Sequence, residues 1–335
     1  MNAVHTRDRP RQPPRGAALI AAMALVLVVS SLTVSVAWLG YSAIARVENQ
    51  RDSGQARYIA QTLMDYARWI LGSDLRGAMG GSAVMDHLSE PWAQPIPHIK
   101  LQSLLSGQLS ADEMRQFGQA AISGQIHDEQ AKFNLENLVQ SGVMDETRAK
   151  ALQAALVRSG VSSSTAQAVL KGVETLLAQT SLDGSGRRRL IRAGEASVWQ
   201  AFDVQVLLTL GLEVQERARV HSLLTWLPER SALNVNTASR EVLTLLMPSE
   251  AAGLAERIVA QRDRIPFRSL SELSAFLPPG QQLDMSQFDT KTKYFRAQGY
   301  AQFGRAEQAF EILLRRETGR VTIVDHKDLN RHEAS

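Results

Sequence analysis

The 335 residues hold 37 Lys and Arg against 34 Asp and Glu, a net charge of +3, with 44% apolar and 21% charged residues. This balance argues against a disordered chain and against a partner held mainly by excess positive charge, and the length allows about two soluble units with real cores. Cysteine is absent, which excludes disulfides, thiolate zinc sites and cysteine nucleophiles.

Residues 1–16 place Arg7, Arg9, Arg11 and Arg15 against a single Asp8, and Pro10, Pro13 and Pro14 oppose helix formation there. No charged residue then occurs from Ala17 to Ala45, a run longer than the roughly 20 residues that cross a bilayer core. Arginines before the run and none within it put the leader in the cytoplasm and the body on the other side. A secretory signal would have a shorter apolar core ending at small residues. Here the helical spacing continues beyond Arg46, with Ile59, Leu63, Tyr66 and Ile70 on one face and Arg51, Asp52, Gln55 and Arg68 largely elsewhere. One helix from Ala17 to about Leu71 is expected, its first half in lipid and its second half packed on a soluble domain. A plain signal anchor is the simpler alternative.

Gly72, Gly77, Gly80, Gly81, Pro91, Pro95 and Pro97 read as a long irregular connection. Ile122, Gln125 and Ile126 suit a short strand and Asp128 to Gln130 a turn, before Phe133 anchors a helix entered at Asn134. From Asn134 to about Leu277 the pattern is helical, broken at Gly142, Gly160, Gly184, Gly186, Gly211 and Pro228, and a compact helical domain is the economical reading. Thr237 is placed to cap a helix, and Ser269 with Glu272 forms a capping box. After Asp284 the residues alternate over 294–300, 309–315 and 321–324, with turns near Gly304 and Gly319. Three antiparallel strands are expected, completing a sheet on the second half of the long helix.

Catalytic signatures are lacking. The seven histidines fall into no ligand pair of helical register, and the glycine-rich stretch from Gly77 to Gly81 lacks the lysine of a phosphate loop. Trp69, Trp92, Trp199 and Trp226 read as core or loop anchors, or as interface aromatics. Arg187-Arg188-Arg189 reads as a solvated helix end or a patch for an acidic partner.

Four segments carry a family resemblance: Arg15-Gly16-Ala17-Ala18-Leu19-Ile20, Trp92-Ala-Gln-Pro-Ile-Pro97, residues 121–139 and residues 231–243. The first is similar to the junction cut by prepilin peptidase, and together they resemble the K-class minor pseudopilins of type II secretion. The resemblance implies cleavage after Gly16, a mature chain starting at Ala17, and a fifth mature position, Ala21, lacking the glutamate that most pilins carry there. A subunit without that carboxylate cannot neutralise a neighbour's N-terminal amine, which fits a terminal place in the fibre. The implied fold is α+β, a long N-terminal transmembrane pilin helix on a small antiparallel sheet with a large inserted all-α domain of helix-hairpin-helix or SAM-like type. The implied segments are a leader at 1–16, a transmembrane half-helix at 17–45, pilin-like parts at 46–130 and 287–335, and the insertion at 131–286. The implied role is a non-enzymatic tip subunit of the pseudopilus, in the inner membrane with a periplasmic body, that initiates assembly and supports export. Its partners would be minor pseudopilins I and J, the major pseudopilin, prepilin peptidase and the inner-membrane assembly platform.

Some family members bind calcium through an acidic loop, but the matching stretch here offers only Glu174 and Asp183, too few carboxylates for such a site, so no cofactor is expected. Residues 231–280 also resemble a helix-hairpin-helix module, which makes a membrane-anchored DNA-uptake protein the rival reading. Yet its hairpin, Leu246-Met247-Pro248-Ser249-Glu250, has no glycine, and Arg240, Arg257, Arg262, Arg264 and Arg268 are balanced by Glu241, Glu250, Glu256, Asp263 and Glu272. Phosphate affinity needs a cationic surplus, so no nucleic-acid partner is expected.

Overall fold

The computed structural model describes residues 17–79, 85–104, 118, 120–178, 180–182, 188–190, 214–247 and 253–329, with backbone alone at 17, 74–79, 104, 180–182, 188–190 and 214. The residues up to Gln55 and those from Ala56 onward form two compact units. Helix α1 runs from Ala17 to Met79, past the expected end near Leu71, because Gly72 and Gly77 weaken a helix by only about 1 kcal/mol each and do not break it.

From Ala56, α1 buries Ala56, Ile59, Ala60, Met64, Ala67, Ile70 and Leu71 against a sheet. Tyr66 does not share that buried face as the spacing implied; it is 43% exposed. After α1 the chain makes a single turn with Trp92 buried, then β1 (Ile96–Lys100), the short helix α2 (Leu101–Leu104) and β2 (Ala120–Asp128).

A long excursion follows. It opens with β3 (Phe133–Asn134), the hairpin of β4 (Val139–Gln140) and β5 (Val143–Met144), then α3 (Glu146–Arg158) and α4 (Ser163–Ala178). Asn134 starts a 3-10 turn instead of the expected α-helix, accepting from the Glu136 amide at 3.1 Å. Next come β6 (Thr180–Leu182), β7 (Arg188–Leu190), α5 (Val214–Leu223) and β8 (Leu224–Thr225). The second part holds β9 (Leu233–Asn234), α6 (Arg240–Leu246), α7 (Leu254–Arg262), α8 (Leu270–Phe276) and β10 (Phe288–Asp289). Ser239, not Thr237, caps α6, because the Thr237 hydroxyl is directed to a buried carboxylate instead. Ser269 caps α8 as expected.

The excursion has its own core, including Leu135, Leu156, Val173, Val235, Leu243 and Ile258. It is not purely helical. Parallel two-residue pairings, β3 with β8 and β9 with β10, tie each half's entry to its exit.

The chain then returns to the sheet through β11 (Tyr294–Phe303), β12 (Ala306–Glu317) and β13 (Arg320–Leu329). The three strands fall where the alternation placed them. All pairings are antiparallel, in the order β1-β2-β11-β12-β13, so the excursion leaves and re-enters between adjacent strands. Gly299 on β11 sits opposite Phe310 on β12, and the ring fills the space that its missing side chain leaves: a Cβ there would lie 2.2 Å from the ring. Phe310 is fully buried. Gly299→Ala is expected to destabilise the protein by about 1–3 kcal/mol through overpacking, read as a lower urea midpoint at unchanged slope in tryptophan fluorescence.

Candidate functional site

In the first unit, α1 presents its apolar side chains outward, including Leu25, Leu32, Trp38 and Leu39, all more than half exposed. The helix is long and apolar enough to cross a membrane, with a mean hydropathy of 2.5 in its most apolar window. Four of its hydroxyls are satisfied within the helix: Ser31 donates to the Val28 carbonyl at 3.0 Å, Thr33 to Val29 at 2.8 Å, Ser35 to Ser31 at 2.8 Å and Ser42 to Leu39 at 2.9 Å. An unpaired hydroxyl in hydrocarbon would oppose insertion. Ala17 is the first residue of α1, Ala21 lies exposed in this segment, and Gly16 lies outside the described residues.

Nearer the sheet, α1 shows a second outward face. Tyr58 is 68% and Trp69 59% exposed, and Trp69 stacks on Tyr66 with ring centroids 5.9 Å apart. Trp92 and Trp226 are buried anchors, as expected of core tryptophans. Two neighbouring aromatics held outward on a regular helix have the composition of an interface core, where rigid apolar rings give contact area at small entropic cost.

A buried polar seam joins the sheet to the excursion, with carboxylates from β2 and the turn before β1 meeting arginines from β11 and β12. Arg316 reaches both carboxylate oxygens of Asp86 and donates to the Thr292 carbonyl at 2.9 Å, with its guanidinium 4.7 Å over the Phe295 ring. Asp128 accepts from Thr237 at 2.5 Å, Thr292 at 2.6 Å and Asn234 at 3.0 Å on one oxygen, and from the Gln130 amide at 2.7 Å on the other. Beside it, Arg296 pairs with Glu129 at 3.0 Å and with Glu311 at 2.6 Å, while Thr225 donates to Glu129 at 2.5 Å.

Burial pushes Asp128 up to about 6 against the opposing hydrogen bonds of Thr237 and Thr292. Burial also pushes Glu129 up, but the charges of Arg296 and Lys132 and the hydrogen bonds from Thr225 and Arg296 outweigh it and hold that carboxyl well below the usual range. The seam offers no exposed nucleophile or base, so its chemistry is that of a joint.

Of the other sequence-derived positions, Glu174 is exposed on α4. Asp183, Arg187, Trp199, and Pro248 to Glu250 of the hairpin, lie outside the described residues. No sequence pattern pointed to Asp86 or Arg316, which meet across 230 residues.

The seam sets a pH dependence. A folded-state carboxyl raised above its ordinary 3.8 gives stability that is full below that value and is lost as pH rises toward 6. Asp128→Asn is therefore expected to remove up to about 3 kcal/mol of pH-dependent change over this interval, in urea unfolding followed from pH 3.5 to 7. Glu129 acts in the opposite sense, since its contribution is present above the usual glutamate value and fades only in stronger acid.

The family model for type II secretion system protein K matches residues 233–292. Type II secretion system protein K of Pseudomonas aeruginosa is 26% identical over 328 residues, covering 94% of this chain and 92% of that protein. A chain of the crystal structure of the GspK-GspI-GspJ complex from the type 2 secretion system of enterotoxigenic Escherichia coli shares the fold, with a TM-score of 0.60 and 18% identity over 85% of this chain and 99% of that one. Along nearly its whole length the chain is therefore similar in sequence to type II secretion system protein K, and it shares the fold of a chain in the GspK-GspI-GspJ complex.

Proposed function

We propose that the protein is a structural minor pseudopilin that stands at the tip of the type II secretion pseudopilus, starts its assembly and supports export of folded proteins across the outer membrane. The observation that carries this reading is α1: one continuous helix that is lipid-compatible over its first half and is the packing partner of an antiparallel sheet over its second. In that role residues 1–16 are a cytoplasmic leader cut after Gly16 by prepilin peptidase, the mature chain begins at Ala17, and residues 46–335 lie in the periplasm. Residues 131–286 act as an inserted helical domain, and its bulk above the sheet blocks addition of a further subunit. Ala21 at the fifth mature position supports the same terminal place, because a helix without a carboxylate there cannot pair with the amine of a subunit stacked beyond it.

The Escherichia coli complex contains GspK with GspI and GspJ, and by analogy the partners here are minor pseudopilins I and J, followed by the major pseudopilin on the assembly platform. The role is mechanical and uses no catalytic group or cofactor.

Two measurements test the reading. Intact-mass analysis of the chain from cells with and without prepilin peptidase is expected to find a mature form beginning at Ala17 only with the peptidase; an uncut chain, or one cut beyond Ala45, would sink it. Trp69→Ala is expected to weaken co-purification with minor pseudopilins I and J by about tenfold, the effect of losing an exposed interface aromatic, while leaving the thermal midpoint unchanged because the ring is 59% exposed.

A further inference from the structure

Away from α1 and the seam, a cleft of about 910 Å³ opens between α3, the β3 turn, the end of α6 and the loop before β10. Its floor is apolar: Phe133, Leu138 and Leu152 are buried beneath it, and Leu246 and Leu283 are half-buried at its wall. Ala151 and Ala154 line it from α3 and are exposed, so their small side chains leave the trough open along the helix.

The rim is cationic. Arg148 and Arg158 stand toward the two ends of α3, and Arg230 stands on the segment before β9. Arg148 is partly neutralised by Asp145 at 3.7 Å and donates to the Asn137 carbonyl at 3.0 Å. Asp284 is the acid that lines the cleft; it accepts from the Ser286 amide at 3.1 Å and from Gln287 at 2.8 Å, and its charge faces Arg148. The floor's amide is satisfied too, since Asn137 donates to the Ser231 carbonyl at 2.8 Å and accepts from its amide at 3.1 Å. Arg148, Arg158 and Arg230 are all exposed, so the arginines of the rim outnumber Asp145 and Asp284.

From the apolar floor and this charge imbalance we infer that the cleft binds an extended segment of a partner polypeptide in which two carboxylates flank large apolar side chains. Arg148 and Arg158 are ten residues apart on α3, about 15 Å along the helix at about 1.5 Å per residue. An extended chain covers that distance in about four to five residues, so carboxylates at that spacing meet both ends while the side chains between them reach the floor. This site is independent of the pseudopilin reading and of the Trp69 face.

The test uses the full chain in nanodiscs of neutral lipid. The probe is a short fluorescein-labelled peptide of leucine and phenylalanine flanked by two glutamates at that spacing, with a counterpart carrying lysines. The glutamate peptide is expected to bind saturably and more weakly as salt rises. The double variant Arg158→Glu with Arg230→Glu is expected to lose about tenfold or more in affinity for it and to gain affinity for the lysine peptide, at an unchanged thermal midpoint, since both arginines are exposed. Equal binding of the two peptides, unchanged binding by the variant, or displacement of the peptide by vesicles of anionic lipid would each overturn the inference.

Discussion

Arg316 joins three parts of the chain at one buried point. It lies on β12, its partner Asp86 follows the long helix, and the Thr292 carbonyl that it also reaches belongs to the return from the excursion. Thr292 in turn gives its amide to Asp86 at 2.7 Å and its hydroxyl to Asp128 at 2.6 Å, so the first arginine bond extends into the network that contains Asn234 and Thr237. Buried ions are expensive to desolvate, and their attraction offsets that cost only when every remaining donor and acceptor is satisfied. Here they are shared among segments distant in sequence. The geometry of the sheet, the turn after α1 and the attachment of the excursion is therefore set by one polar cluster, while the apolar cores on either side supply most of the burial.

The protein combines two separate apolar cores. The sheet and α1 form one apolar cluster and the excursion forms another, bridged by a small cluster at Leu227, Tyr294 and Leu313. Apolar packing fixes distances loosely, whereas hydrogen bonds to charged groups fix direction. A polar joint between two cores is therefore a means of holding their orientation.

Much of the scaffold was legible before any coordinates. The uncharged run from Ala17 to Ala45 pointed to a helix apolar enough to cross a membrane, and the alternation around Tyr300, Phe310 and Val321 placed three strands with their turns, because both signals are local. The errors came where tertiary contacts decided. Tyr66 has the spacing of a core residue but lies beside Trp69 on the open face. Thr237 has the chemistry of a cap but serves Asp128, leaving Ser239 to cap α6. The parallel pairings of β3 with β8 and β9 with β10 are two residues long, too short for any periodicity. Asp86 and Arg316 carry no signal of their pairing, since nothing in a sequence marks which ions a fold will bury together.

The excursion begins and ends between two strands that pair directly, β2 and β11, from Phe295 opposite Asp128 to Phe303 opposite Ala120. In kinetic terms these strands form a hairpin whose loop is residues 129–293. Closing an unstructured loop of that length costs roughly 4–5 kcal/mol on the (3/2)RT ln n scale, and the central sheet cannot form until it is closed. If the loop is first condensed into a body whose entry and exit lie side by side, most of that entropy is already spent and the strand pairing becomes effectively local. The pairings of β3 with β8 and β9 with β10 bring those ends together, so the order of events most accessible to this topology is excursion first, sheet second, with the membrane-tethered helix receiving a finished surface last.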